Sequence, residues 1–127
     1  MKLIIGGYAQ GKMNYVLQKY GSENVIVMDG LLPENVASEG KILVIYRLHI
    51  WIRKCLLNNE CPEEKLGKLL EQYPDCIIIS DEIGNGIVPV DAFEREYRER
   101  TGRILIMLAQ RAEEVERIIC GMGQKLK

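Results

Sequence analysis

Five short runs of branched apolar residues constrain the fold of this chain more than any other feature of its sequence. The runs are "KLIIG" (2–6), "NVIVMD" (24–29), "KILVIY" (41–46), "DCIIIS" (75–80) and "VERIIC" (115–120). Apolar runs of this length are typical of strands buried on both faces of a parallel sheet. Segments with helical spacing lie between or beside them, at 12–20, 48–58, 62–73 and 90–112. The alternation predicts an α/β fold with a mainly parallel sheet flanked by helices.

Composition excludes several classes of function. The chain has 127 residues, 47% of them hydrophobic, which suits one domain over residues 1–127. Its formal net charge is −1, so no basic field favours nucleic acid or an anionic membrane as a partner. Since we find neither a membrane-spanning apolar run nor a signal-peptide pattern, we expect a cytoplasmic protein. The four cysteines lack CxxC spacing, and we expect free, mostly buried thiols.

The stretch "GGYAQGKM", residues 6–13, lies between the first predicted strand and the first predicted helix. It satisfies the GxxxxGK pattern of a phosphate-binding loop in the context that this pattern requires. Its glycines allow the backbone to curl around phosphate oxygens, and Lys12 supplies a positive charge as the predicted catalytic residue. The predicted nucleotide-binding residues are Gly6, Gly7, Tyr8, Ala9, Gln10, Gly11, Lys12 and Met13. The alternative is a glycine turn followed by an ordinary surface lysine.

Metal binding is the weak point of this motif. Met13 stands where a Ser or Thr hydroxyl normally binds Mg²⁺, and a thioether is a poor ligand for a hard cation. Asp81 and Glu82 follow the strand "DCIIIS", at the end where open α/β sheets bind ligands. We therefore predict a metal or substrate contact at these two acids, with Glu82 also catalytic. Asp29 is a weaker candidate, and capping within a surface loop is the alternative for the pair.

Three segments resemble the bifunctional adenosylcobinamide kinase / adenosylcobinamide-phosphate guanylyltransferase family of cobalamin biosynthesis. "ISDEIGNGIVP" (79–89) is similar to that family's "SNEVGxGIVP" signature, and the loop at 6–13 is similar to its "TGGxRSGKS" start. The C-terminal stretch from residue 97 also matches, at Tyr97, Arg98, Glu99, Gly102, Arg103, Leu108, Ala109, Ala112, Glu114, Val115, Gly121, Lys125 and Lys127. The resemblance implies a RecA-like P-loop NTPase fold of three α/β/α layers, GTP or ATP as ligand, cobinamide as acceptor and a homo-trimer.

The middle of the chain departs from the family pattern at functional positions, which indicates a shortened and partly degenerate member. Tyr46 stands where the resemblance implies a second metal-binding acid. Leu105 and Ile106 replace an Asn and a Gln. The segment "DGLLPENVASEG" (29–40) contains no histidine, although the resemblance implies the guanylylated histidine there. The lone histidine, His49, falls in a helical pattern and is interpreted as structural.

Three hypotheses follow from the sequence. The first is that the chain is a reduced cobinamide kinase that has lost guanylyl transfer and uses Lys12, Glu82 and Mg²⁺. The second is that it is a catalytically silent protein that binds nucleotide or corrinoid and acts as a partner or regulator. The third is that it is a structural paralogue whose loop is empty. The dependence of nucleotide binding on magnesium distinguishes the first hypothesis from the second.

Overall fold

The computed structural model describes residues 1–37, 39–83 and 90–127. Its strands form a six-stranded sheet in the order β2-β3-β4-β1-β5-β6. The strands are β1 (Lys2–Gly6), β2 (Val25–Asp29), β3 (Ile42–Tyr46), β4 (Ile77–Asp81), β5 (Glu114–Ile119) and β6 (Met122–Lys125). The first five are parallel, and β6 runs antiparallel to β5. The predicted mainly parallel sheet is confirmed.

Helices cover both faces of the sheet. They are α1 (Lys12–Tyr20), α2 (Leu48–Leu57), α3 (Pro62–Gln72) and α4 (Ala92–Arg111). Pro62 begins α3, as the sequence indicates, with Glu63 in the first turn. Asp91 caps α4, because its side chain accepts hydrogen bonds from the backbone N–H groups of Phe93 and Glu94. No helix in the described ranges is both long and apolar enough to cross a membrane.

Alternate residues of the central strands pack into two separate hydrophobic cores, one on each face of the sheet. Ile4 of β1 and Ile79 of β4 pack with Val16 of α1 on one face. Leu3 of β1 and Ile78 of β4 pack with helices α2, α3 and α4 on the other face. Because neighbouring residues of a strand point to opposite faces, strands covered on both sides must be apolar throughout. This arrangement confirms the predicted three-layer α/β fold of a P-loop NTPase.

The C-terminal hairpin was absent from the sequence prediction. Strand β6 has the sequence "MGQK", and all four of its residues are exposed. It lacks the apolar run that marks a buried strand, so only its pairing with β5 identifies it. Cys120 and Gly121 connect the two strands with positive φ angles of 50° and 76°, as a two-residue hairpin turn requires. Strand β5 consequently ends at Ile119, one residue earlier than predicted.

The four cysteines are free thiols, as predicted, but only half of them are buried. Cys55 and Cys76 lie in the core, whereas Cys61 and Cys120 are exposed. Burial raises the pKa of the Cys76 thiol to about 11, so it stays protonated at neutral pH. Cys61 directly precedes α3, and Cys120 lies in the hairpin turn, which are positions that sequence spacing does not distinguish from the core.

An ion pair that joins α3 to α4 should make stability depend on pH. Arg100 donates hydrogen bonds from Nε and Nη2 to the two carboxylate oxygens of Glu63, at 2.9 and 2.7 Å. These bonds, above all other causes, lower the pKa of Glu63 from 4.5. A carboxyl group whose folded pKa is depressed stabilises the fold above its unfolded pKa, and this contribution is lost as pH falls through the folded pKa.

Glu63→Gln should therefore lower the free energy of unfolding at pH 7 and leave it nearly unchanged at pH 2.5. Urea unfolding at both pH values measures the difference. Glu71→Gln, at an exposed acid on the same helix, is the matched control and should show a smaller effect at pH 7. An equal loss for Glu63→Gln at both pH values would show that packing, rather than charge, carries the contribution.

Candidate nucleotide-binding site

The backbone shape of the loop between β1 and α1 requires glycine at two positions. A Cβ atom on Gly6 would lie 2.7 Å from the carbonyl oxygen of Ile118, because β5 runs directly beside β1. Gly11 has a φ of 87°, in the left-handed region that favours glycine, and directly precedes α1. No side chain caps α1, so the N–H groups of its first turn are available to an anion.

Gln10 ties this loop to the C-terminal hairpin. Its backbone oxygen accepts a hydrogen bond from the N–H of Gly121 at 2.8 Å. Its side-chain Oε1 accepts a second one from the N–H of Cys120, also at 2.8 Å. The hairpin turn thus supports the outer side of the loop through both the backbone and the side chain of one residue. Contacts from Cys120 and Gly121, in the last tenth of the chain, therefore hold the loop in its geometry. The local sequence of the loop does not reveal these contacts.

Lys12 and Asp81 form an ion pair at the base of the loop, between a buried ammonium and a partly buried carboxylate. The Lys12 ammonium lies 2.6 Å from Oδ1 of Asp81 and donates a hydrogen bond to the backbone oxygen of Gly7 at 2.7 Å. Only 6% of Lys12 is exposed, which excludes the alternative of an ordinary surface lysine. Asp81 ends β4, beside Gly6 of β1 in the sheet register, so the pairing of these strands brings the two charges together.

His49 also lies against Asp81. Its Nδ1 accepts a hydrogen bond from the backbone N–H of Asp81 at 3.1 Å, and its Nε2 lies 3.4 Å from Asp81 Oδ2. Burial lowers the pKa of His49 more than the Asp81 carboxylate raises it, and the charges of Lys12 and Arg47 lower it further. The neutral ring, with its proton on Nε2, fits both contacts. These contacts fit the interpretation of His49 as a structural residue, and they hold a carboxylate of the candidate site in place.

A cavity of about 470 Å³ opens in front of the loop, within the size range of small-molecule sites. Its walls are loop residues 8–12, Met13 and Asn14 of α1, Tyr46 and Arg47 at the end of β3, and Asp81. Six of the eight predicted nucleotide-binding residues line it, and the other two, Gly6 and Gly7, begin the loop. The carboxyl ends of β1, β3 and β4 meet here, where open α/β sheets bind ligands.

Glu82 does not share this cavity with Asp81. Its backbone N–H donates to the oxygen of Gly6 at 2.8 Å. Its carboxylate Oε2 pairs with Arg117, 3.2 Å from Nε and 3.1 Å from Nη2. Glu82 lines a second cavity, of about 460 Å³, together with Leu105 and Ile106. The two adjacent acids thus face different spaces, since neighbouring residues of an extended chain point in opposite directions.

The residues around the first cavity offer few oxygen ligands to a magnesium ion. Both oxygens of Asp81 face nitrogen atoms, those of Lys12 and His49. Met13 and Tyr46 line the cavity at two places where P-loop proteins normally supply a hydroxyl and an acid. Within residues 1–37, 39–83 and 90–127, no group of three or more His, Cys, Asp or Glu side chains is placed to hold a metal. A metal shared by Asp81 and Glu82 would have to displace their present partners.

The sequence analysis did not predict Arg47 as a residue of the site, and it ranked Asp29 as a weaker candidate. Arg47 directly follows β3 and lines the cavity, a position that the rule for carboxyl ends of strands could have singled out. Asp29, the weaker candidate, is the ion-pair partner of Arg47. The signature segment continues over 84–89, and those residues lie outside the described ranges. The helix after it is capped by Asp91.

Comparisons with known proteins agree with the resemblance seen in the sequence. The sequence model of the family described as cobinamide kinase / cobinamide phosphate guanyltransferase matches residues 23–126. The bifunctional adenosylcobalamin biosynthesis protein CobP of Pseudomonas aeruginosa is 30% identical over 97 residues, which are 72% of this chain and 56% of that protein. CobU of Salmonella typhimurium, with the same description, is 37% identical over 51 residues, 40% of this chain and 28% of that protein. The chain spans about half or less of the length of these relatives.

The ion pair of Lys12 and Asp81 should show strong energetic coupling. Asp81→Ala leaves a buried ammonium without a counter-ion, and we expect it to lower the free energy of unfolding by about 3 kcal/mol. Lys12→Met combined with Asp81→Ala should recover most of this loss, because neither charge is then buried alone. Urea unfolding of the two single variants and the double variant measures the coupling. Additive effects would mean that the two charges do not stabilise each other.

Proposed function

The chain belongs to the cobinamide kinase / cobinamide phosphate guanyltransferase family, and within that family we propose that it binds GTP or ATP at the loop of residues 6–13. The observation that carries this proposal is the position of Lys12. Its ammonium lies at the base of a 470 Å³ cavity, beside uncapped N–H groups at the start of α1. Together these groups form a site for the phosphates of a nucleotide.

Loss of guanylyl transfer is part of the proposal. A covalent guanylylated intermediate requires a histidine whose ring nitrogen can attack the nucleotide. The chain has one histidine, and it lies in α2 rather than in the segment between β2 and β3. Both ring nitrogens of His49 face Asp81, and the side chain is buried. Nothing in these contacts presents His49 as a nucleophile.

Phosphoryl transfer to cobinamide is the second candidate. It is favoured by the carboxylate of Asp81, which lies 2.6 Å from the Lys12 ammonium and therefore near the phosphates of a nucleotide in this cavity. A carboxylate in that position could hold the acceptor hydroxyl or a metal ion during transfer. Asp81 would first have to exchange its contact with Lys12 for one of these. The catalytic role predicted for Glu82 and assembly into a trimer belong to this candidate.

Calorimetric titration with GTP and, separately, with ATP tests the binding function. We expect saturable binding by the unaltered chain and a loss of at least about tenfold in affinity for Lys12→Ala, because a charge-assisted hydrogen bond to phosphate is removed. Lys68→Ala, at an exposed lysine of α3, is the matched control and should bind as the unaltered chain does. Circular dichroism should confirm that each variant is folded. No binding of either nucleotide at millimolar concentration would refute the proposal and leave a structural paralogue.

Incubation with cobinamide, Mg²⁺ and each nucleotide tests the second candidate. Formation of a phosphorylated corrinoid that disappears in Asp81→Asn would support a retained kinase. Binding of nucleotide without any product would identify the chain as a silent binding protein of the pathway. The substitution to Asn keeps the shape of the side chain, so that loss of product reports on the charge.

A further inference from the structure

One of the cationic side chains that line the first cavity, Arg47, has its counter-ion outside the cavity lining. Among the described residues, its charged lining side chains are Lys12, Asp81 and Arg47. Lys12 and Asp81 neutralise each other at 2.6 Å. Arg47 is paired instead with Asp29, which does not line the cavity. Two of the three charged side chains that line the cavity are therefore cations, and the counter-ion of Arg47 lies outside the lining.

Arg47 directly follows the position at which a second metal ligand is expected. In P-loop proteins, Mg²⁺ is held by the hydroxyl after the lysine and by an acid at the end of a second strand. Here the residue after Lys12 is Met13, and β3, which β4 separates from β1 in the sheet, ends in Tyr46. The acid that ends β4, Asp81, is paired with Lys12. Neither thioether nor phenol is a good ligand for Mg²⁺. The guanidinium of Arg47, one residue beyond Tyr46, is a permanent cation with a planar fork that suits phosphate oxygens.

The backbone at Arg47 is unusual in a way that positions its side chain. Arg47 has φ 56° and ψ 54°, in the left-handed region that a residue other than glycine rarely adopts. This conformation joins the end of β3 to the start of α2, at the edge of the cavity. Residues in sparsely populated backbone regions cluster at active sites and ligand sites. Five other non-glycine residues in the described ranges also have positive φ, so the guanidinium at the cavity edge, rather than the conformation alone, distinguishes Arg47.

The present partner of Arg47 can be exchanged for phosphate. Asp29 accepts hydrogen bonds from Nε and Nη2 of Arg47 at 2.6 and 2.8 Å, in a geometry that phosphate oxygens can reproduce. Both side chains are about half exposed, at 49% for Arg47 and 46% for Asp29. Exposed ion pairs contribute little net free energy, so releasing Arg47 costs little. Asp29 holds the guanidinium at the edge of the cavity and competes with a ligand for it.

We propose that Arg47 replaces the metal ion at this site, and that the cavity binds the free nucleoside polyphosphate, without Mg²⁺, through Lys12, Arg47 and the amide groups of the loop. The inference rests on the proposed nucleotide function and adds to it the charge state of the ligand. The free polyphosphate carries more negative charge than its magnesium complex. Magnesium therefore competes with Arg47 for the same oxygens, and its removal strengthens binding or leaves it unchanged.

The experiment is a titration of GTP and ATP into the chain and its variants, once with excess EDTA and once with excess Mg²⁺. We expect the unaltered chain to bind in EDTA at least as tightly as in Mg²⁺. Arg47→Ala should lose about tenfold or more of the affinity in EDTA. Asp29→Asn, which removes the competitor for the guanidinium, should bind more tightly than the unaltered chain. Arg103→Ala, at an exposed arginine of α4 paired with Glu99, is the matched control and should change nothing.

The outcomes separate the two proposals. Binding by the unaltered chain that requires Mg²⁺ would overturn the replacement of the metal by Arg47 and leave the nucleotide function standing. Absence of binding in both solutions would overturn both. If Arg47 and Asp29 served only to hold β2 against α2, both substitutions would weaken binding and stability together. Urea unfolding of each variant identifies that case, and a weaker rather than tighter Asp29→Asn would overturn the proposal even if Arg47→Ala failed to fold.

Discussion

The contact between Lys12 and Asp81 is the interaction on which the candidate site depends. It exists because β1 and β4 are neighbours in the sheet, in a register that places Gly6 beside Asp81. One strand leads into the loop that ends at Lys12, and the other ends in the carboxylate that Lys12 meets at 2.6 Å. His49 and Gly7 complete the contacts of the two charges. Taking charges out of water is costly, so such a pair persists only where further hydrogen bonds support it.

The loop itself depends on support from two sides. On the inner side, close packing of β5 against β1 leaves no room for a side chain at Gly6. On the outer side, the hairpin turn at Cys120 and Gly121 donates two hydrogen bonds to Gln10. A loop held in this way keeps its N–H groups in position without a ligand, which reduces the ordering cost of binding one. The four residues of β6 are exposed and add nothing to the buried core, and the pairing of β6 with β5 forms this turn.

With Arg47 in place of a metal ion, as proposed, the site would differ from a standard P-loop site in the source of its positive charge. A metal ion brings charge together with the nucleotide and requires oxygen ligands from the protein. Arg47 would bring charge that is part of the chain, always present and held by Asp29 when no anion is bound. A site of this kind would retain recognition of phosphates without a mobile metal to stabilise phosphoryl transfer. Such a site would suit a protein that binds nucleotide better than one that turns it over.

The sequence determined the layers of the fold and the chemistry of the loop, because both are encoded in short stretches of the chain. Apolar runs such as "KLIIG", bounded by turn residues, indicate buried strands, and "GGYAQGK" between a strand and a helix indicates a glycine-rich loop of the kind that Gly11 forms. Tertiary structure decided which side chains meet. It placed Asp81 and Glu82 in different cavities, brought His49 onto Asp81 and placed Arg47 at the edge of the first cavity. The contacts that build the site, from Arg47 with Asp29 to Cys120 with Gln10, join residues 18 to 110 positions apart. Strand order and register bring these residues together, and no local sequence pattern encodes either.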